Sequence, residues 1–351
     1  MAIDPAELTR SPEWFPWRID DPADALEFVR LGAADYEAAS FLDRRLTATS
    51  TAEKAVATID SVEQALEGVA PRCGFIFHAS HVGSTLLARM LGAHPGFFSL
   101  REPVTLRTLA EEAERRARGA GVWAEGALER RFDLMLRLWS RTFVPGDLPV
   151  IKATSWATEL AEAAMDRVPE SRAVFMYVRP LNFLRGLLGG AMVDIDERHS
   201  ERVARLGRRI GVELGPAERM TPGERVITAL LCETSSMQAA ADRFPGRVLW
   251  VDFDALLAAP GETLARVVAH YGIGVDAARI AAILRGPILE RYAKAPSVAF
   301  GPDDRVALLK RADSEHADEI RRGMELLGRF AALPGVRPIL EAASKRVGIS
   351  T

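Results

Sequence analysis

Cysteine is scarce in this chain. Only Cys73 and Cys232 occur among 351 residues, far apart in sequence. Two isolated thiols exclude a disulfide framework and a cysteine-rich metal site, and they agree with a reducing, cytoplasmic setting. Long hydrophobic runs are missing as well. No stretch reaches the ~18 apolar residues of a membrane span. The opening MAIDPAELTR has neither the basic nor the apolar part of a secretory leader, so neither a leader nor a membrane partner is expected. Charge of one sign is not in excess. The 45 Lys and Arg against 48 Asp and Glu leave a net charge of −3. No global basic field invites nucleic acid. Repeats and low-complexity tracts are absent. What remains is 48% hydrophobic and 26% charged, ordinary globular composition with enough apolar residues for a sizeable core.

The stretch that organises the chain is residues 74 to 103, GFIFHASHVGSTLLARMLGAHPGFFSLREP. Phe75-Ile76-Phe77 has the composition of a buried strand. The turn Ala79-Ser80-His81-Val82-Gly83 follows, and a helix opens on Ser84-Thr85. The first amides of a helix lack internal partners and the helix dipole favours an anion there, so this is a place for phosphate. Gly83 lets the backbone approach closely. The pattern departs from G-x-x-x-x-G-K-[ST], because His78 stands for the first Gly and Ser84 for the Lys. The loop therefore suits an anion without carrying the cation of nucleotide-triphosphate hydrolysis.

The pattern predicts a helical extension over 1–70, an α/β core over 71–300 and a helical region over 301–351. In the extension, 1–22 is expected across the surface, pinned by Trp14, Phe15 and Trp17, with helices over 22–48 and 51–69. Asp43-Arg44-Arg45 reads as a solvated face. In the core, apolar strands end in Arg101-Glu102-Pro103, in Lys152-Ala153-Thr154, in Arg179-Pro180 and in Asp252. Charged residues at such ends fall where open α/β sheets place ligands. The insert at 190–220 reads as a lid-like helix whose arginines are solvated. Thr221-Pro222-Gly223-Glu224 is a strong helix start. Arg291 and Lys294 sit in a basic, Tyr-containing loop. Trp123, Trp139 and Trp156 are candidates for a cleft or for the core. Strand and helix alternate throughout, which argues a parallel central sheet flanked by helices.

Three segments in order, FIFHASHVGSTLLARML, AVFMYVRP and VLWVDFDALLAAPGETLARVVAHYGI, resemble the sulfotransferases that use 3′-phosphoadenosine 5′-phosphosulfate (PAPS). The resemblance spans roughly 73–275 and implies a P-loop-like sulfotransferase fold, with helical additions at both ends. It implies transfer of a sulfuryl group from PAPS to a hydroxyl or amine of a small-molecule or peptide acceptor. Ser80, Val82, Gly83, Ser84 and Thr85 would hold the 5′-phosphosulfate and Arg179 the 3′-phosphate, with Arg291 and Lys294 as further donor-binding residues. Glu102 would be the acceptor's base. Lys152 would neutralise charge on the bridging oxygen, and His81 would donate to the leaving phosphate. Two positions depart from the family pattern. His81 stands where members carry Lys or Arg, and Leu187 stands where they carry Ser. No resident metal is expected. The alternatives are an ATP- or GTP-dependent phosphotransferase using Mg²⁺ on Asp252, and a non-catalytic nucleotide-binding relative.

Overall fold

The computed structural model describes residues 3–46, 51–190, 195, 197–333, 336, 337 and 341. Its centre is a five-stranded parallel sheet built from β4 (Gly74–His78), β5 (Phe97–Arg101), β6 (Leu148–Lys152), β7 (Ala173–Tyr177) and β8 (Val248–Asp252). The spatial order is β5-β6-β4-β7-β8, so the first core strand in sequence lies in the middle. Every residue of β4 and of β7 is buried, because helices cover both faces of the sheet. Phe77 meets Phe175 edge-on at 5.9 Å, and Phe175 meets Trp250 at 5.4 Å, which ties three adjacent strands through one aromatic row.

The strand register decides what the carboxyl edge presents. Arg101 lies opposite Lys152, His78 opposite Met176, and Tyr177 opposite Asp252. The residues expected at strand ends therefore all reach one edge of one sheet.

The expected N-terminal helices are corrected. Residues 14–58 carry a three-stranded antiparallel sheet, β1 (Trp14–Asp20), β2 (Ala25–Arg30) and β3 (Lys54–Thr58). Among the described N-terminal residues, helix is confined to Pro5–Arg10, Ala33–Ala38 and Ile59–Ala65. The cause is the turn Asp21-Pro22-Ala23-Asp24, closed by the Asp24 amide donating to the Asp21 carbonyl at 3.1 Å. Pro at the second turn position favours that reversal, and the aromatic residues before it favour strand. Trp14 and Phe15 are core residues and do not lie across the surface.

The 190–220 insert is also corrected in part. Its helix His199–Ile210 packs on the long helix Pro222–Arg243, and Arg202 and Arg205 are buried. Glu233 accepts from Arg202 Nε at 2.9 Å, and Glu159 accepts from Arg205 at 3.0 Å. These arginines are not a solvated face. Residues 191–194 and 196 lie outside the described residues. The capping box expected at Thr221 and Glu224 is present. At the C-terminal end the helices are Pro302–Glu315 and Ala317–Ala331, and most of the expected helix beyond them lies outside the described residues. Among the described residues no helix is long and apolar enough to cross a membrane.

Candidate functional site

At the carboxyl edge of the sheet a cavity of about 890 Å³ opens. One wall is the turn between β4 and the helix Ser84–Gly92. That turn is unusual in its backbone. Ser80 (φ 77°), His81 (φ 47°) and Gly83 (φ 73°) are all left-handed. Side-chain-bearing residues rarely adopt this conformation, and such residues concentrate where a site requires them. Gly83 has a second reason to be glycine, since a Cβ there would overlap the Phe253 ring. Among the described residues no hydrogen bond engages the amides of Val82, Gly83, Ser84 or Thr85. They are the open donors of a nine-residue helix and its approach. The Thr85 hydroxyl is buried beside them without a partner. A threonine in a helix has two accessible χ1 rotamers, so that hydroxyl can turn to a ligand at the helix start.

His78 braces the turn from below. Its Nε2 donates to the Ala153 carbonyl at 2.9 Å, and its Nδ1 accepts the Ser80 amide at 3.1 Å. Burial, and secondly the Lys152 ammonium, hold its pKa well below the ordinary value, so the ring is neutral and fixed in that tautomer.

The second wall joins β5 to β6. Lys152 is fully buried and its ammonium donates to Glu102 Oε1. Burial lowers the Lys152 pKa, with Glu102 opposing that shift. Glu102 is left-handed as well (φ 53°), which turns the chain so that its carboxylate faces the lysine. Its other oxygen accepts from Arg45 at 3.3 Å. Of the two charged residues expected at this strand end, only Glu102 faces the cavity. Arg101 is buried and donates to backbone carbonyls of Tyr36, Glu37 and Ala39, so it anchors the N-terminal segment.

Of the residues expected from sequence, the cavity lining brings together Ser80, His81, Gly83, Ser84, Thr85, Glu102, Lys152, Arg291 and Lys294. Val82 is not among the lining residues, and its side chain is wholly buried. Arg179 is not in the wall. Pro180 fixes it in extended backbone as the cap of the helix Pro180–Leu188, and its side chain is exposed near Tyr177 and Asp252. Asp252 accepts the Ala255 amide at 2.9 Å as a helix cap and does not line the cavity. Leu187 is a core residue. Among the described residues no cluster of three or more His, Cys, Asp or Glu is placed to hold a metal ion.

Sequence reading missed several cavity residues. Asp43, Arg44 and Arg45 come from the segment read as a solvated face, and Phe41 from just before it; Arg45 stacks on Phe41 at 3.4 Å. No local pattern marks Phe41 or Asp43 to Arg45 as lining, because their placement depends on how distant segments dock. Of the three tryptophans offered as cleft or core, Trp156 lines the cavity, with Arg198 and Arg205 over its ring at 5.1 and 4.8 Å, while Trp139 is core and Trp123 lies under Arg131. Among the described residues, nine basic and four acidic side chains line the cavity, in a chain whose net charge is −3.

No known protein family matches the chain, and no curated protein matches it. Solved structures do resemble it. The sulfotransferase STF9 from Mycobacterium avium shares 13% identity at a TM-score of 0.41, over 82% of this chain and 84% of that one. The sulfotransferase domain from the curacin biosynthetic pathway shares 13% at 0.40, over 80% of this chain and 98% of its own length. The sulfotransferase from Alicyclobacillus acidocaldarius shares 17% at 0.37, over 73% and 96%. At these identities and TM-scores the likeness is one of outline, and function has to be argued from the cavity.

Proposed function

We propose that this chain is a sulfotransferase that takes its sulfuryl group from PAPS and passes it to a hydroxyl or amine. The observation that carries the reading is the turn at 80–85. Three left-handed residues and a run of open amides face a cavity with a surplus of cations, in an acidic protein. That arrangement attracts a multiply charged anion and gives it donors at one end.

When bound, the donor supplies a sulfuryl group whose bond to the bridging oxygen breaks, the electron pair leaving on the 5′-phosphate as the acceptor forms its own bond to sulfur. The chain's residues do the rest. The amides of Val82 to Thr85 hold the phosphosulfate end. Glu102 receives the acceptor's proton at Oε2, which requires Arg45 to yield that oxygen. Arg45 has an alternative partner in Asp43, so the exchange costs little. Lys152, pinned by Glu102 and shielded from water, places positive charge beside the reacting centre. Arg291 and Arg305 line the cavity and are assigned to the remaining phosphate.

Thermal unfolding with adenosine 3′,5′-bisphosphate, with and without chelator, tests the donor. A hundredfold excess over Kd stabilises by about 2.7 kcal/mol, a rise of several degrees that chelation leaves intact. Radiolabelled sulfate should then pass from PAPS to an acceptor. Stabilisation by ATP or GTP that vanishes on chelation would replace this reading with phosphoryl transfer.

A further inference from the structure

The phosphate loop carries no permanent cation of its own. Between β4 and its helix, His81 is the one ionisable side chain. The structure brings it a partner from far along the chain. Lys294 Nζ lies 2.9 Å from His81 Nε2, across 213 residues of sequence, and both line the cavity.

The loop that carries Lys294 is built to hold it there. A bridge joins Arg291 to Ala299, and the Tyr292 amide donates to the Val298 carbonyl at 2.8 Å. Tyr292 and Phe300 pack edge-on at 5.5 Å. Arg89, on the helix that follows the phosphate loop, donates to the Ala293 carbonyl at 2.9 Å. The residue before Lys294 is thus pinned to the element that begins at the anion site. An ammonium can only donate, so Nε2 accepts and the imidazole carries its proton on Nδ1. Nδ1–H is then a donor whose tautomer is set by the lysine behind it.

We infer that Lys294 and His81 act as one cationic unit that supplies the loop with the charge its own sequence lacks. Lys294 is the positioning residue and His81 the group that meets the anion. This rests on the donor reading above. It assigns to two distant residues, working through one hydrogen bond, a task that a lysine within the loop would perform alone. It also makes the 290–300 loop part of the anion site.

Titration calorimetry with adenosine 3′,5′-bisphosphate separates the two claims. Lys294→Ala should weaken binding roughly ten- to a hundredfold, the scale of a lost charged hydrogen bond. His81→Ala should lose a similar factor, and the double variant should lose no more than either, because the pair acts as a unit. Adding His81→Lys to Lys294→Ala should restore binding to within a few-fold of wild type, a recovery that a merely structural loss of the clasp would not give. Unfolding midpoints measured without the probe control for folding. If wild type binds and Lys294→Ala binds within twofold of it, or the two single losses add, or the rescue fails in a folded variant, the inference is overturned while the donor reading stands. If wild type itself does not bind, the donor reading falls and takes the inference with it.

Discussion

Replacing Gly83 with alanine tests the architecture of the anion loop most directly. Two costs follow from the structure. An L-residue in the left-handed region loses about 1–2 kcal/mol relative to glycine. The new methyl group would also overlap the Phe253 ring, which is only partly buried and can shift. Overpacking of that kind costs about 1–3 kcal/mol. The sum, roughly 2–5 kcal/mol, is a large share of the 5–15 kcal/mol typical of folded proteins. Urea unfolding should show a lower midpoint at unchanged slope. The two costs can be separated with Phe253→Ala, which removes the ring atoms the new methyl would meet. In that background the overlap is relieved and only the backbone cost, about 1–2 kcal/mol, should remain. Binding of adenosine 3′,5′-bisphosphate should stay impaired, because the strained turn no longer sets the amides at 82–85. An unfolding free energy within about 0.5 kcal/mol of wild type for Gly83→Ala, the ordinary scale of surface substitutions, would refute the reasoning. So would an equal loss in both backgrounds.

Glu102→Gln should destabilise by about 3–5 kcal/mol, since it leaves the buried Lys152 ammonium without its charge partner. Adding Lys152→Met should recover most of that loss, and urea midpoints equal for the single and double variants would contradict the pairing. Stability should also respond to acid in a defined window. His78 and His270 are both held below the ordinary histidine value of 6.5, in each case by burial first. Below 6.5 the unfolded chain takes up protons that the folded chain refuses. Stability is therefore complete above 6.5 and falls as pH drops below it, by up to ~1.4 kcal/mol per pH unit for each histidine. Unfolding midpoints measured between pH 7.5 and 5.5 check this, and a flat profile would refute the neutral, buried imidazoles.

Much of the core was legible because its signals are local. Apolar runs ending in charged residues marked β4 to β8, and the residues between them marked helices, so a parallel sheet with a charged carboxyl edge followed. The N-terminal segment misled because its apolar spacing fits a helix, while a single Asp-Pro turn folds it into a hairpin. For Arg179 the sequence was informative about the backbone alone, since its neighbouring Pro180 fixes that but says nothing of where the side chain goes. By itself, the sequence determined the strand-turn-helix at 74–92, its glycine and its open amides, because a few adjacent residues suffice to set them. Only the tertiary structure decided which charges meet: Lys152 with Glu102, Arg45 with the same carboxylate, and Lys294 with His81. Those pairs depend on sheet register and on the docking of segments far apart in the chain, and no local periodicity encodes either.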